Sequence, residues 1–302
     1  MANSKMLSAI RFLKSRPDIK FVAGLQCRNF AAAASQAHTK CKIVNGVYVV
    51  TLDSPNAKVN SLNEDVMNEF KNILQEVESN PAIEATVLIS GKPDCFIAGA
   101  DIPMLEKCRT KEEVVNISKA GHEIFRRIES SRKPYVAAIQ GVCLGGGLET
   151  VLAYHYRIAV KDAKTSVGLP EVMLGLLPGG GGTQRLPVLT SIPTTLDLAL
   201  TGKMVKADKA KKLGIIDLLV SPLGPGLASP KENTAKYLET VAIQVAKDIA
   251  AGKMKVDRQK KGLVANVTAT AMKWDWVKNI IFNKAKEQVM KASKGLYPAP
   301  LK

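Results

Sequence analysis

Four segments of this chain combine carboxylates with runs of very small residues, a pairing that suits acid–base chemistry beside exposed backbone donors. The first is Phe96-Ile-Ala-Gly-Ala-Asp101, small side chains at the end of a short apolar strand that leads into a helix. Small residues let a ligand approach backbone N–H groups, and Asp101 by itself reads as the cap of that helix. The second is Gly141-Val-Cys-Leu-Gly-Gly-Gly-Leu-Glu149. Three glycines directly after a strand put unshielded N–H groups at a helix start, where the helix dipole favours an anion or a developing oxyanion. Close helix packing is the plainer reading of such a triplet. The glycine order is not that of a dinucleotide fingerprint, and no phosphate-loop Gly-Lys-Ser/Thr follows. The third segment, Gly168-Leu-Pro-Glu171, sets a carboxylate just after a proline. The fourth, Gly175-Leu-Leu-Pro-Gly-Gly-Gly-Gly-Thr-Gln-Arg-Leu186, is a flexible turn opening a helix. One strand, Tyr156–Val160, separates Glu149 from Glu171, so both can reach the same end of a sheet. Two carboxylates beside backbone donors make a general acid/base pair at an oxyanion site.

Positioning these groups requires alternating strands and helices. Val44, Val47, Val49, Val50 and Leu52 flank Asn45-Gly46, the chemistry of a hairpin turn. Ser61-Leu-Asn-Glu64 spells a capping box ahead of Val66, Phe70, Ile73, Leu74 and Val77 at helical spacing. Ala85–Ser90, Pro134–Ile139 and Tyr156–Val160 are short apolar strands. Helices are expected over Val114–Ile128 and from about Gly146 to Ala153. This alternation implies crossover connections and a mostly parallel α/β fold. After Leu186 the texture turns helical: Thr194–Thr201, Ala207–Leu213, Glu232–Ala251 and Leu263–Ser293. Ser221–Pro230, rich in Pro and Gly, reads as a surface connection.

Composition narrows the classes further. The chain has 302 residues, 46% hydrophobic and 23% charged, ordinary for a globular protein with a sizeable core. No stretch approaches the roughly 18 uncharged apolar residues of a spanning helix. Five cysteines (27, 41, 95, 108, 143) are odd in number and lack a C-x-x-C pair, which argues against a disulfide framework and for a reducing compartment. Three scattered histidines (38, 122, 155) do not make a metal cluster. The net charge of +16 sits at the ends. Residues 1–40 carry seven Lys or Arg against Asp18 alone, a net +6. Residues 251–302 carry twelve basic against three acidic residues, a net +9. The near-neutral body makes a nucleic-acid partner unexpected. Residues 1–40, with spaced basic residues, Ala31–Ala34 and one acid, read as a mitochondrial transit peptide, which implies a matrix location. The bland alternative is a basic tail. The terminal Gly295–Lys302 segment, with two prolines, resembles a linker.

Taken in order, FIAGAD, GGGLE, PEV and PGGGGTQRL resemble the enoyl-CoA hydratase (crotonase) family over about residues 42–290. SPNAKVNSL at 54–62, GLPEVMLGLLPG at 168–179, the SPLGPG segment and KGLYPAPLK carry a narrower resemblance, to the N-terminal hydratase part of mitochondrial trifunctional alpha subunits. The resemblance implies a crotonase-like ββα spiral over 41–190, then a helical oligomerisation region over 191–302. It implies that the thioester oxygen of an enoyl-CoA sits between the N–H groups of Ala98 and Gly146. Ala98, Gly99, Ala100, Asp101 and Gly146 would line the substrate. Glu149 would activate the water, Glu171 would deliver the α-proton, and Gly179 would help to place the water. One lost oxyanion donor typically costs about 3–4 kcal/mol of transition-state stabilisation. No metal ion or redox cofactor is implied, the substrate arriving as a coenzyme A thioester. Trifunctional alpha subunits continue into a nicotinamide-dependent dehydrogenase; the 302 residues hold no counterpart, so no NAD chemistry is assigned. Gly180 also stands where the family commonly has alanine.

The expected partners follow from the same resemblance. Hydratases of this kind form trimers or hexamers, and Trp274, Trp276, Val277, Ile280, Ile281 and Phe282 crowd one stretch of helix with apolar surface. A thiolase beta subunit is the competing partner, and a peripheral contact with the inner membrane belongs to the same expectation. Two other activities fit the motifs less well. A double-bond isomerase of this fold often needs one carboxylate where two stand here. A crotonase-like RNA-binding protein would bind RNA with a steep salt dependence.

Overall fold

In the computed structural model, residues 37–256 and 274–293 are described. The hairpin forms as its turn chemistry demands: β1 (Thr39–Val44) and β2 (Val47–Leu52) pair antiparallel around Asn45 and Gly46, both at positive φ. The chain continues through α1 (Glu64–Ser79), β3 (Ala85–Ser90), β4 (Cys95–Ile97), α2 (Ile102–Glu106) and α3 (Lys111–Glu129). Next come β5 (Tyr135–Ile139), β6 (Val142–Leu144), α4 (Gly146–Leu152), β7 (Tyr156–Val160) and β8 (Ser166–Gly168). A 3₁₀ turn (Pro170–Leu174), α5 (Gly182–Leu189), α6 (Ile192–Thr201), β9 (Val205–Lys206), α7 (Ala207–Lys212) and β10 (Leu218–Val220) follow. Two longer helices, α8 (Pro230–Ala250) and α9 (Asp275–Ser293), complete the described order.

Three successive strand–strand–helix units organise the centre. In each, the first strand joins a six-stranded sheet of order β1-β2-β3-β5-β7-β10, and the second joins a four-stranded sheet of order β4-β6-β8-β9. From β2 to β10 the large sheet is parallel, as are β4, β6 and β8 in the small one. This is the ββα spiral that the family resemblance implied. Alternate residues of the large sheet feed two cores, because side chains along a strand point to opposite faces. Val47, Val49, Val87, Val136, Ile158 and Val160 meet Leu238, Ala242 and Ala246, one face of α8. Val50, Leu52, Leu88, Ala137 and Ile139 face Val66, Phe70 and Leu74 of α1 and Ile124, Phe125 and Ile128 of α3.

Several local expectations are corrected. The cap of α1 is Asn63, whose Oδ1 accepts from Val66 N at 2.8 Å, and not Ser61. Ser61 and Leu62 are held instead by the 99–101 segment, a longer-range pull that overrides the local capping signal. The chain after Leu186 is not purely helical: β9 and β10 extend the two sheets. Strands of two or three residues carry too little alternation to be read from sequence. Thr39 and Lys40, placed in the leader by composition, begin β1. Glu69 of α1 accepts from His38 N and Thr39 N, both at 2.8 Å, and from Thr39 Oγ1. Residues 1–36 of the expected leader and the expected helix start at 263–273 lie outside the described residues, as does the 294–302 tail.

Candidate active site

The three parallel strands of the small sheet end together, and each releases one of the segments singled out by composition. Ligand sites of α/β sheets lie at such carboxyl ends. β4 runs into Ala98–Asp101, β6 into the glycine triplet, and β8 into the turn that carries Glu171.

After β4 the chain is laced to residues 60–62. Ala98 N donates to Asn60 O at 2.8 Å, Leu62 N to Gly99 O at 2.8 Å, and Asp101 N to Leu62 O at 3.2 Å. Ala98 was the expected oxyanion donor, but its N–H already has an acceptor. The next N–H but one, at exposed Ala100, meets no acceptor among the described residues. It faces Gly146: a Cβ there would stand 3.5 Å from Ala100 N and 3.1 Å from Leu62 Cδ1. Gly146 is the first residue of α4, where N–H groups have no intrahelical acceptor. Ala100 and Gly146 thus bring together two neighbouring N–H groups that meet no acceptor among the described residues. Asp101, expected at the substrate, is occupied in holding the fold. Its Oδ2 accepts from Met104 N at 3.1 Å to cap α2, and its Oδ1 accepts from Ser61 Oγ at 3.2 Å.

Glu149 lies one turn into α4 and is 3% exposed. Its Oε1 accepts from Gly180 N at 2.9 Å and Gly182 N at 2.8 Å, which ties the helix to the glycine loop. Burial pushes its carboxyl upward, opposed by those two N–H groups and by the charges of His122 and Arg185. Glu171 reaches the same place from the other side. A Cβ on Gly145 would sit 3.1 Å from Glu171 Oε1, a close approach, and Gly145 has φ +52, a conformation that favours glycine. Both Glu171 oxygens are buried and accept no hydrogen bond from any other described residue. Burial, reinforced by the Glu149 charge, raises this carboxyl to about 7, its own N–H opposing the rise. Glu171 is thus poised to hold or release a proton near neutrality, the property wanted of a general acid or base.

The glycine loop is braced from α3. Ser118 Oγ donates to Gly179 O at 2.6 Å, and Arg185 Nη1 donates to Gly180 O at 3.0 Å. Arg185 also pairs with Glu129 at 3.2 Å and lies 5.9 Å over the Phe125 ring. Gly179, expected to place the water, is exposed at the mouth beside Glu149's partners. A Cβ on Gly180 would stand 2.8 Å from Glu149 Oε2 and 2.9 Å from Phe125 Cε2, so here the departure from alanine makes room for the glutamate. Sequence reasoning missed Asn60 and Ser118. Asn60 lies inside the SPNAKVNSL segment, but nothing about Ser118 in the sequence marks it.

Residues 42–273 match the model of the enoyl-CoA hydratase/isomerase family. The fatty acid oxidation complex subunit alpha of Shewanella putrefaciens is 43% identical over 259 residues, 85% of this chain and 34% of that protein. Its counterpart from Shewanella loihica is 42% identical over 268 residues, 88% of this chain and 35% of that protein. The chain therefore spans about a third of the length of these curated relatives. An enoyl-CoA hydratase structure from Bacillus anthracis superimposes with a TM-score of 0.62 at 26% identity, covering 84% of this chain and 91% of that one. The match over residues 42–273 and the 43% identity to a curated relative show that the chain belongs to the enoyl-CoA hydratase/isomerase family.

Proposed function

We propose that this protein hydrates 2-trans-enoyl-CoA thioesters to 3-hydroxyacyl-CoA, in fatty-acid β-oxidation. The observation that carries the reading is that Glu149 and Glu171, both raised by burial, lie near enough for the charge of one to act on the other, with Glu171 Oε1 against Gly145, next to the Gly146 and Ala100 N–H groups. The thioester oxygen accepts from those two donors, so the electrons displaced by attack collect on an oxygen already held by hydrogen bonds. Ionised Glu149 takes a proton from water as its oxygen bonds to the β-carbon. Protonated Glu171 delivers its proton to the α-carbon, and the proton held by Glu149 then passes back to Glu171 to restore the starting state. Exposed Leu176 and Leu177 beside Gly179, and Val114 one turn before Ser118, offer apolar surface to an acyl chain.

The test is the loss of conjugated absorbance from 2-butenoyl-CoA and longer 2-enoyl-CoA thioesters. Incorporation of ¹⁸O from labelled water into the product supports hydration. Conversion of 3-enoyl-CoA to 2-enoyl-CoA without ¹⁸O uptake would replace it with the isomerase reading. Membership of an oligomer or of an assembly with a thiolase beta subunit belongs to the same proposal. Trp274, Trp276, Ile280 and Phe282 are all more than half exposed on this chain, and the two tryptophan rings stack at 6.0 Å. The mitochondrial matrix location rests on the composition of residues 1–40 alone.

A further inference from the structure

We infer that Gly99 is the positioning residue that turns the Ala100 N–H toward the substrate oxygen. The inference rests on the reading above that Ala100 and Gly146 hold a thioester oxygen. It comes from a change of edge within four residues. Along an extended strand, successive N–H groups point to opposite edges, so residues 98 and 100 share one edge and 99 and 101 the other. Ala98 N donates to Asn60 O, on the edge that faces residues 60–62. An uninterrupted strand would send the Ala100 N–H to that same edge. Instead Gly99 O and Asp101 N bond Leu62, so residues 99 and 101 have moved to the 60–62 edge. Ala100 is left facing the opposite edge, where β6 ends and Gly146 begins.

The reversal happens at Gly99, whose φ is +129, a conformation that residues with a side chain rarely adopt. Its surroundings do not account for the glycine. A Cβ on Gly99 would have Leu144 O at 3.5 Å as its nearest neighbour, an ordinary contact. Space permits a side chain; the backbone does not. The residues around the reversal are firmly held. Fully buried Asn60 donates from Nδ2 to Leu52 O, Ser90 Oγ and Phe96 O at 2.9–3.1 Å, and its Oδ1 accepts from Ser54 N. Asn60 anchors the chain facing one side of the reversal and the Asp101 cap holds the other, and Gly99 carries the one positive φ among residues 98–101.

Gly99→Ala separates this role from packing, because it adds strain without overlap. The expected result is a fall in kcat of about 10²- to 10³-fold, the loss for one oxyanion donor, with KM changed by no more than a few-fold. A bound amino-substituted cinnamoyl-CoA, whose absorption moves to the red as its carbonyl oxygen accepts hydrogen bonds, should lose most of that shift. Gly252→Ala is the control: the residue has φ +69 and open space around it, and it lies beyond the end of α8. That variant should keep kcat and the red shift. If Gly99→Ala keeps both, the inference is wrong while the hydratase reading stands. Should Gly99→Ala not fold, hydrogen exchange on the unaltered protein decides. The Ala98 amide is expected to be slow and the Ala100 amide fast, with 3-hydroxybutyryl-CoA slowing Ala100 together with Gly146 and leaving Ala98 unchanged. A fast Ala98 amide that the ligand protects would overturn the role of Gly99. An unaltered protein that hydrates nothing refutes the proposed function, and the exchange pattern of the free protein still reports the reversal.

Discussion

Replacing Glu171 by glutamine should make the protein more stable above neutral pH while removing its activity. The carboxyl is raised from 4.5 to about 7, chiefly by burial and next by the charge of Glu149. In the unfolded chain it ionises near its ordinary value. Between those two pH values the unfolded state therefore binds fewer protons than the folded state, and stability falls as pH rises through the window. The loss is complete above about 7 and absent below about 4. At about 1.4 kcal/mol per pH unit, it amounts to roughly 3 kcal/mol. Glutamine has the same shape and no charge, so the variant escapes this penalty. For a chain of this size, the gain corresponds to a rise in Tm of about 5–10 °C near pH 8. Urea unfolding of both proteins at pH 4 and pH 8 measures it: equal stability at pH 4, with the variant ahead at pH 8. In parallel, kcat should drop by about 10²- to 10⁴-fold, and the wild-type hydration rate should decline as pH rises through about 7, where the acid form is lost. A variant no more stable than wild type at pH 8 would refute the argument that Glu171 is held above its ordinary range by burial.

Further outcomes test the pair, the chain start and the assembly. Glu149→Gln should also cost about 10²- to 10⁴-fold in kcat, and the double variant much less than the product of the singles, since both groups act on one water; multiplicative losses would separate their roles. A chain beginning at Ala37 should fold and turn over normally, whereas one beginning at Cys41 loses the bonds from His38 and Thr39 to Glu69. At about 1 kcal/mol for each bond, more where the acceptor is charged, the shorter chain should be weaker by roughly 2–4 kcal/mol in denaturant; equal stabilities would discount the Glu69 clamp. Light scattering should show an oligomer that Trp276→Glu with Ile280→Glu dissociates, and an active monomer at all concentrations would remove the self-association proposal.

Residue types and periodicity carried much of this protein into view. β3 and β5 are nearly continuous apolar runs, and β7 is one apart from Arg157, because parallel strands covered on both faces need no alternation. Glu149, Glu171 and the glycine segments were recognisable because a backbone donor site needs small neighbours. β4, β6 and β8 were less legible: three residues fall short of a periodic signal, yet their ends assemble the site. The choice between Ala98 and Ala100 was not legible at all. Both are alanines in one motif, and which N–H stays free depends on the backbone reversal at Gly99 and on residues 60–62, far away in sequence. The capping box at Ser61 failed for the same reason, its hydroxyl being drawn to Asp101. Nor does a sequence state a proton affinity. Glu171 is an ordinary glutamate until tertiary packing buries both of its oxygens without another described residue as partner, and desolvation there, with Glu149 nearby, sets the proton equilibrium on which the proposed hydration depends.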